Sequence, residues 1–267
     1  MTRYEGSAAD AAAKAPSPGV IGGFDAALTD TISLGISGGG AWPELTLDGT
    51  SDHQTATVTH LGLYGRYSNG TTRIDGALGF SRADHKSFRT ITDGVSAVAA
   101  DSTSRSDGLV LQLEYGRSFN VGYGFSIEPG AGLQIGQLHM DGFTERGGDV
   151  LALVVPSRTA RSQRVLAGGR VGHSLGSVSG IRMMVEGRAA WAHEFRRFDD
   201  VSVRFSADPF ANQFAIAPPN DSRDSAMLGF SFAADVAAKL RVFADLGGEV
   251  GGPSRIWSGM FGFAWTW

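Results

Sequence analysis

Apolar and polar residues alternate along most of this chain. Leu109, Leu111, Leu113 and Tyr115 interleave with Val110, Gln112, Glu114 and Gly116, and Leu240, Val242, Ala244 and Leu246 interleave with Arg241, Phe243, Asp245 and Gly247. Phe125, Ile127, Pro129, Ala131, Leu133 and Ile135 do the same against Ser126, Glu128, Gly130, Gly132, Gln134 and Gly136. Successive side chains of an extended chain point to opposite faces, so each stretch is a strand with one apolar and one small or polar face. The pattern predicts strands at 19–28, 31–42, 54–67, 71–84, 104–119, 122–139, 160–175, 180–196, 222–236, 239–249 and 255–267. These exceed the roughly 5–6 residues of a globular strand and suit the roughly 9–11 tilted residues that cross a bilayer. Only Asp10 to Lys14 reads as helical.

The last strand is the most lopsided. Trp257, Phe261, Phe263, Trp265 and Trp267 share one parity, while Ser258, Gly262, Ala264 and Thr266 share the other. A soluble protein would have to bury that aromatic face at the very end of its chain. On the outside of a barrel in a bilayer it meets lipid and the membrane interface instead.

Link lengths alternate as well. Thr29–Asp30, Ser68–Asn69–Gly70, Asn120–Val121, Leu175 to Ser179 and Ala237–Ala238 are short, and Asn-Gly is a strong hairpin signal. Pro43 to His53, His85 to Thr103, Met140 to Thr159 and Arg197 to Asp221 are long and polar. Short turns at one end and long loops at the other mark outer-membrane barrels. Val250 to Ser254 departs from this rule, being short at the long-loop end.

Composition narrows the classes. Among 267 residues there are 38 glycines and 19% charged residues, and no apolar run approaches the roughly 20 residues of a spanning helix. A net charge of -4 argues against a nucleic-acid partner, and the lack of cysteine removes disulfides and thiolate metal sites. Met1 to Gly6 contains no apolar secretory stretch, so an outer-membrane reading expects a longer precursor. Eleven strands also sit awkwardly with the even number usual in bacterial barrels. Thr2 to Glu5 is the only candidate before Val20, so the chain reads as cut within its first strand. On this reading 1–18 are a remnant of that strand and its loop, and 19–267 are the barrel.

Five segments in order carry a family resemblance: Gly22-Gly23-Phe24-Asp25, Glu128-Pro129-Gly130-Ala131-Gly132-Leu133, Phe143-Thr144-Glu145-Arg146-Gly147-Gly148, Ala190-Trp191-Ala192-His193-Glu194-Phe195, and the aromatic C-terminus. Across nearly the whole chain the sequence resembles the β-domain of autotransporters, the type V secretion systems of Gram-negative bacteria. The resemblance implies an all-β, antiparallel, twelve-stranded transmembrane barrel. Such a barrel exports and anchors an N-terminal passenger, has a helix through its pore, and keeps its C-terminus in the periplasm. It implies no cofactor and a monomer in outer-membrane lipid. It further implies that Phe263, Trp265 and Trp267 form a signal read by the barrel-assembly machinery. The passenger and pore helix are not among these residues.

The inward parity collects Asp25, Arg73, Asp75, Glu114, Glu128, Arg182, Glu186, Arg188, Glu194, Arg241 and Asp245. Both signs are present, unlike the single-sign ring of an ion-selective channel. The plain expectation is that these groups pair across the wall. The functional expectation is that some, Glu128 and Glu186 first, contact the exported segment or its helix.

Enzyme signals dissolve on inspection. Gly35-Ile36-Ser37-Gly38-Gly39 matches G-x-S-x-G but lies in an alternating strand with no helix after it. The six histidines lack metal-ligand spacing, and His193 and Glu194 fall on opposite faces of one strand. Gly38-Gly39-Gly40 lacks the helix of a phosphate loop. Two alternatives remain: a lipocalin-like soluble barrel with the apolar face inward, and a stand-alone outer-membrane barrel acting as pore, adhesin or membrane enzyme through its loops.

Overall fold

The computed structural model describes residues 2–4, 13–92, 97–178, 180–196, 201–207, 213–216, 222–252 and 254–266. Eleven long strands follow one another: β1 Gly19–Ala27, β2 Ile32–Ala41, β3 His53–Ser68, β4 Thr72–Thr92, β5 Ala97–Arg117, β6 Phe125–Met140, β7 Arg158–Val178, β8 Ile181–Glu194, β9 Asp224–Ala237, β10 Leu240–Gly251 and β11 Ser254–Trp265. Each pairs antiparallel with the next, in a continuous sheet that curls on itself. All eleven predicted strands are present.

The exposure pattern is inverted relative to a globular protein. Leu109, Leu111, Leu113, Phe261 and Phe263 are 52%, 46%, 48%, 78% and 74% exposed, while among the described residues the buried apolar side chains are alanines and Val203. In water so large an apolar surface would be sealed by association; around a barrel wall it is the lipid belt. The soluble lipocalin-like alternative fails here, because the charged parity faces the concave side.

β1 and β11 end the sheet, run parallel to each other, and are not paired to each other. Among the described residues, β1 is hydrogen-bonded along one edge only, to β2. Along its second edge the strand pairing of β11 among the described residues is that of Ser254–Ile256 with Tyr4–Thr2. That short piece also pairs with Ala13–Ala15, which in turn pairs with Glu44–Leu47 beside β3. Among the described residues the backbone ladder thus joins the ring at the long-loop end and leaves a slot between β1 and β11 below it. Ala13 and Lys14 lie in a strand, not the expected helix; 5–12 fall outside the described residues. The extended form is held by ladder bonds to two neighbours, which outweigh the local helical preference of an alanine run.

The long links are where expectation and structure part. β4 and β5 carry strict pairing up to Thr92↔Ala97, so the predicted loop of residues 85–103 is mostly wall. The Met140↔Arg158 register of β6 and β7 resumes at Phe143↔Val155. The β7–β8 register resumes at Leu153↔Phe205, and the β8–β9 register at Val201↔Ile216. From β4 to β9 the barrel wall therefore continues past the lipid belt. From Phe80 to Thr92 this is roughly 40 Å of strand at about 3.3 Å per residue. Above the lipid both faces meet water or loops, so no apolar alternation is needed and none is seen in Ser102-Thr103-Ser104-Arg105. A pattern reader finds polar loop there because the signal it relies on comes from lipid.

Turns settle in detail. At Asn69–Gly70 only Gly70 takes a positive φ, of 85°; Asn69 instead accepts the Thr71 and Thr72 N–H groups on its Oδ1 at 3.1 and 2.7 Å. The turn expected at Asn120–Val121 sits at Gly122-Tyr123-Gly124, whose φ values are 88°, 52° and 79°. Two glycines make that left-handed path cheap. Phe119–Gly122 extends the ladder beside β6.

Candidate functional site: the charged lumen

Parity places Arg73, Asp75, Glu114, Glu128, Glu186, Arg188 and Asp245 on the concave face, and the structure ties them together. Arg73 reaches Glu128 at 2.7 Å and also contacts Asp75, which Arg66 holds at 2.6 Å. Arg170 binds Glu114 at 2.7 Å and lies 3.9 Å from Glu128 and 3.6 Å from Glu186. Gln112 donates to Glu114 at 2.6 Å and receives a bond from Gln134 at 3.3 Å. Arg188 forms a two-pronged pair with Asp245, 2.7 Å on each arm, and Ser231 donates to the same carboxylate at 2.5 Å. Nearer the long-loop end, Arg164 pairs with Glu249, to which Ser225 donates at 2.7 Å. Side chains that would be costly alone pair with one another across eight strands, β3 to β10.

Inward glycines make this possible. A Cβ on Gly116 would stand 2.5 Å from Glu128 Oε1, and one on Gly229 would collide with the Arg188 guanidinium. The cavity that remains, about 420 Å³, is lined by Arg73, Glu114, Glu128, Arg170, Arg188 and Glu249 among others.

The other candidates sit apart. Asp25 accepts a long bond, 3.4 Å, from the Tyr64 hydroxyl, whose ring occupies the space left by Gly35. Arg182 and Arg241 meet Asp235 at 3.6 and 2.7 Å near the short-turn end. Glu194 accepts the Gln163 N–H at 2.8 Å and the Ser162 hydroxyl. Sequence reasoning missed Arg66, Arg164, Arg170 and Glu249. Arg170 could have been found: it shares parity with Gly168 and Gly172, but Gly168-Gly169 blurs the apolar alternation that assigns faces. Phe263 and Trp265 lie on the lipid face of β11, and Trp267 falls outside the described residues.

No catalytic arrangement emerges from the described residues. They contain no group of three His, Asp or Glu that could hold a metal. Ser37 lies within β2 with a strand continuing on both sides. His193 faces outward and bonds Asp224 at 2.9 Å, beside Trp191, which donates to the same carboxylate at 2.9 Å.

His85, on the wall above the lipid belt, has a different interest. Its Nε2 lies 2.8 Å from Ser106 Oγ and its Nδ1 3.0 Å from Gln54 Nε2. Burial pushes its pKa below the ordinary histidine value, against a smaller upward pull from Asp84. The folded chain therefore binds the proton less readily than the unfolded chain does. Stability should be flat above the unfolded value of about 6.5 and fall as pH drops below it. His85→Gln should remove that part of the slope, read from urea midpoints of the detergent-folded protein between pH 7.5 and 5.

Comparisons agree with this geometry. The profile of the Autotransporter beta-domain family matches residues 1–247. The fold is similar to the translocator domain of NalP from Neisseria meningitidis, with TM-score 0.77, 14% identity, 100% of this chain and 84% of that one covered. It is also similar to the β-domain of the Bordetella autotransporter BrkA, with TM-score 0.67, 16% identity, and coverage of 100% and 96%. The transport unit of AIDA-I from Escherichia coli gives TM-score 0.64 and 14% identity, with coverage of 100% and 87%. No curated protein sequence matches the chain.

Proposed function

The chain belongs to the autotransporter β-domain family, and on that premise we propose that it anchors and helps export an N-terminal passenger through the outer membrane to the cell surface. The observation that supports this most is the wall itself: an apolar outward face around its middle and a face of paired charges toward the lumen. Any catalytic activity belongs to the passenger. The short turns and the C-terminal end of β11 share one end of the wall, which is the periplasmic one; the extended wall of β4 to β9 stands outside the cell. The slot between β1 and β11 takes one strand running outward, antiparallel to both, whose outer end is Thr2–Tyr4. The barrel acts as a monomer.

The edge of β11 and its alternating aromatics Phe263, Trp265 and Trp267 offer the assembly machinery a strand to pair with. Placed behind a signal peptide, an epitope-tagged passenger and a linker long enough to fill the slot, residues 1–267 should present the epitope to protease on intact cells. Deleting Thr266 and Trp267 should abolish that display while refolding into detergent micelles persists. Display that survives the deletion disproves the signal. An intact, membrane-inserted fusion that never exposes its epitope disproves the export function.

A further inference from the structure

Inward charge is spread unevenly over the strands. Inward-facing charges recur on β4 to β10, whereas β2 turns Ser33, Gly35, Ser37, Gly39 and Ala41 inward and β11 turns Ser258, Met260, Gly262 and Ala264 inward. The inward faces of β2 and β11 are thus small and uncharged, and β1 adds Asp25 as an isolated inward charge beside them.

On β4 to β10 the carboxylates are unequally engaged. Asp75, Glu114, Glu128 and Asp245 each have a guanidinium nitrogen at 2.6, 2.7, 2.7 and 2.7 Å. Glu186 has only Arg170 Nη1 at 3.6 Å, from a guanidinium whose Nη2 binds Glu114 at 2.7 Å, and the more distant pull of Arg188, which is held by Asp245 at 2.7 Å. Across the sheet its partners are Gly172, which has no side chain, and Ser231, whose hydroxyl is committed to Asp245. Glu186 is also the more open of the two favoured glutamates, its side chain 33% accessible against 17% for Glu128. A water-filled lumen hydrates such a carboxylate. A polypeptide filling the lumen strips that water, and the charge then needs a cation beside it.

We infer that Glu186 receives a lysine or arginine side chain of the polypeptide segment that occupies the lumen. This rests on the translocator function above and adds the chemistry of the occupant. Glu128, locked to Arg73, holds the wall together and does not take part in that contact.

Two alanine-rich helical peptides of equal length, one with lysine at every fourth position and one with glutamate there, serve as probes. Binding is read by fluorescence anisotropy on the full chain refolded in detergent micelles, its fold checked by heat-modifiable migration. The lysine peptide should bind saturably and at least about tenfold more tightly than the glutamate peptide. Glu186→Gln should weaken lysine-peptide binding by about five- to tenfold, and Glu186→Asp should retain part of it. Asp84→Asn, on the outer rim, should change nothing. Equal binding of the two peptides, an unchanged affinity in Glu186→Gln, or no binding of either peptide to the folded wild type overturns the inference. Epitope display in intact cells is scored separately: display with no lysine preference sinks this inference alone, and lost display with the preference intact sinks the export function alone.

Discussion

Leu111→Arg should cost the detergent- or bilayer-folded chain about 2–4 kcal/mol, the penalty for an arginine on the lipid face of a barrel near midplane. Leu111 is 46% exposed, lies between Leu109 and Leu113 on the same face, and pairs with Leu78 and Ile135, so no polar partner is within the belt to receive the guanidinium. The same substitution at Thr103, which shares that face but stands on the extension above the belt, should move stability by less than about 0.5 kcal/mol, as for an ordinary surface site. Unfolding in urea from lipid vesicles reads both. Equal costs at the two positions would mean that the belt does not end where the alternation ends.

The second large effect belongs to Arg170. Arg170→Met removes the cation that serves Glu114 at 2.7 Å and approaches Glu128 and Glu186 at 3.9 and 3.6 Å. Breaking a fully buried pair costs about 3–5 kcal/mol. These side chains remain about a quarter accessible, so roughly 1–3 kcal/mol is expected here. Adding Glu114→Gln should restore much of the loss, because the cost lies in the stranded carboxylate and not in the missing guanidinium. A double variant as unstable as the sum of its parts would show that Arg170 acts by packing alone.

Those two sites mark the limits of reading the chain without its fold. Leu111 was assigned its face by alternation alone, and the structure places it there. Arg170 was passed over, since glycines on both sides of it erase the contrast between faces. The network it joins brings together residues as far apart as Arg73 and Glu128, or Arg188 and Asp245, and strand pairing alone sets which of them meet. Glu128 and Glu186 looked alike as inward glutamates; their difference is whether Arg73 or Arg170 reaches them, a matter of neighbouring strands.

The sequence by itself determined the strand count, the face of each strand, the short-turn end and the family likeness, because lipid on one side and water on the other write a period of two into the residues. It did not determine how tall the wall is. Above the belt that selection disappears, and residues such as Ser102 to Arg105 are held in strands by register carried up from below. Nor could it determine the pairing of Thr2–Tyr4 with β11 and with Ala13–Ala15, the uncharged inward faces of β2 and β11, or the weak pairing of Glu186. Each of those depends on which strands become neighbours when the sheet curls, and hydrogen bonds between distant segments decide that.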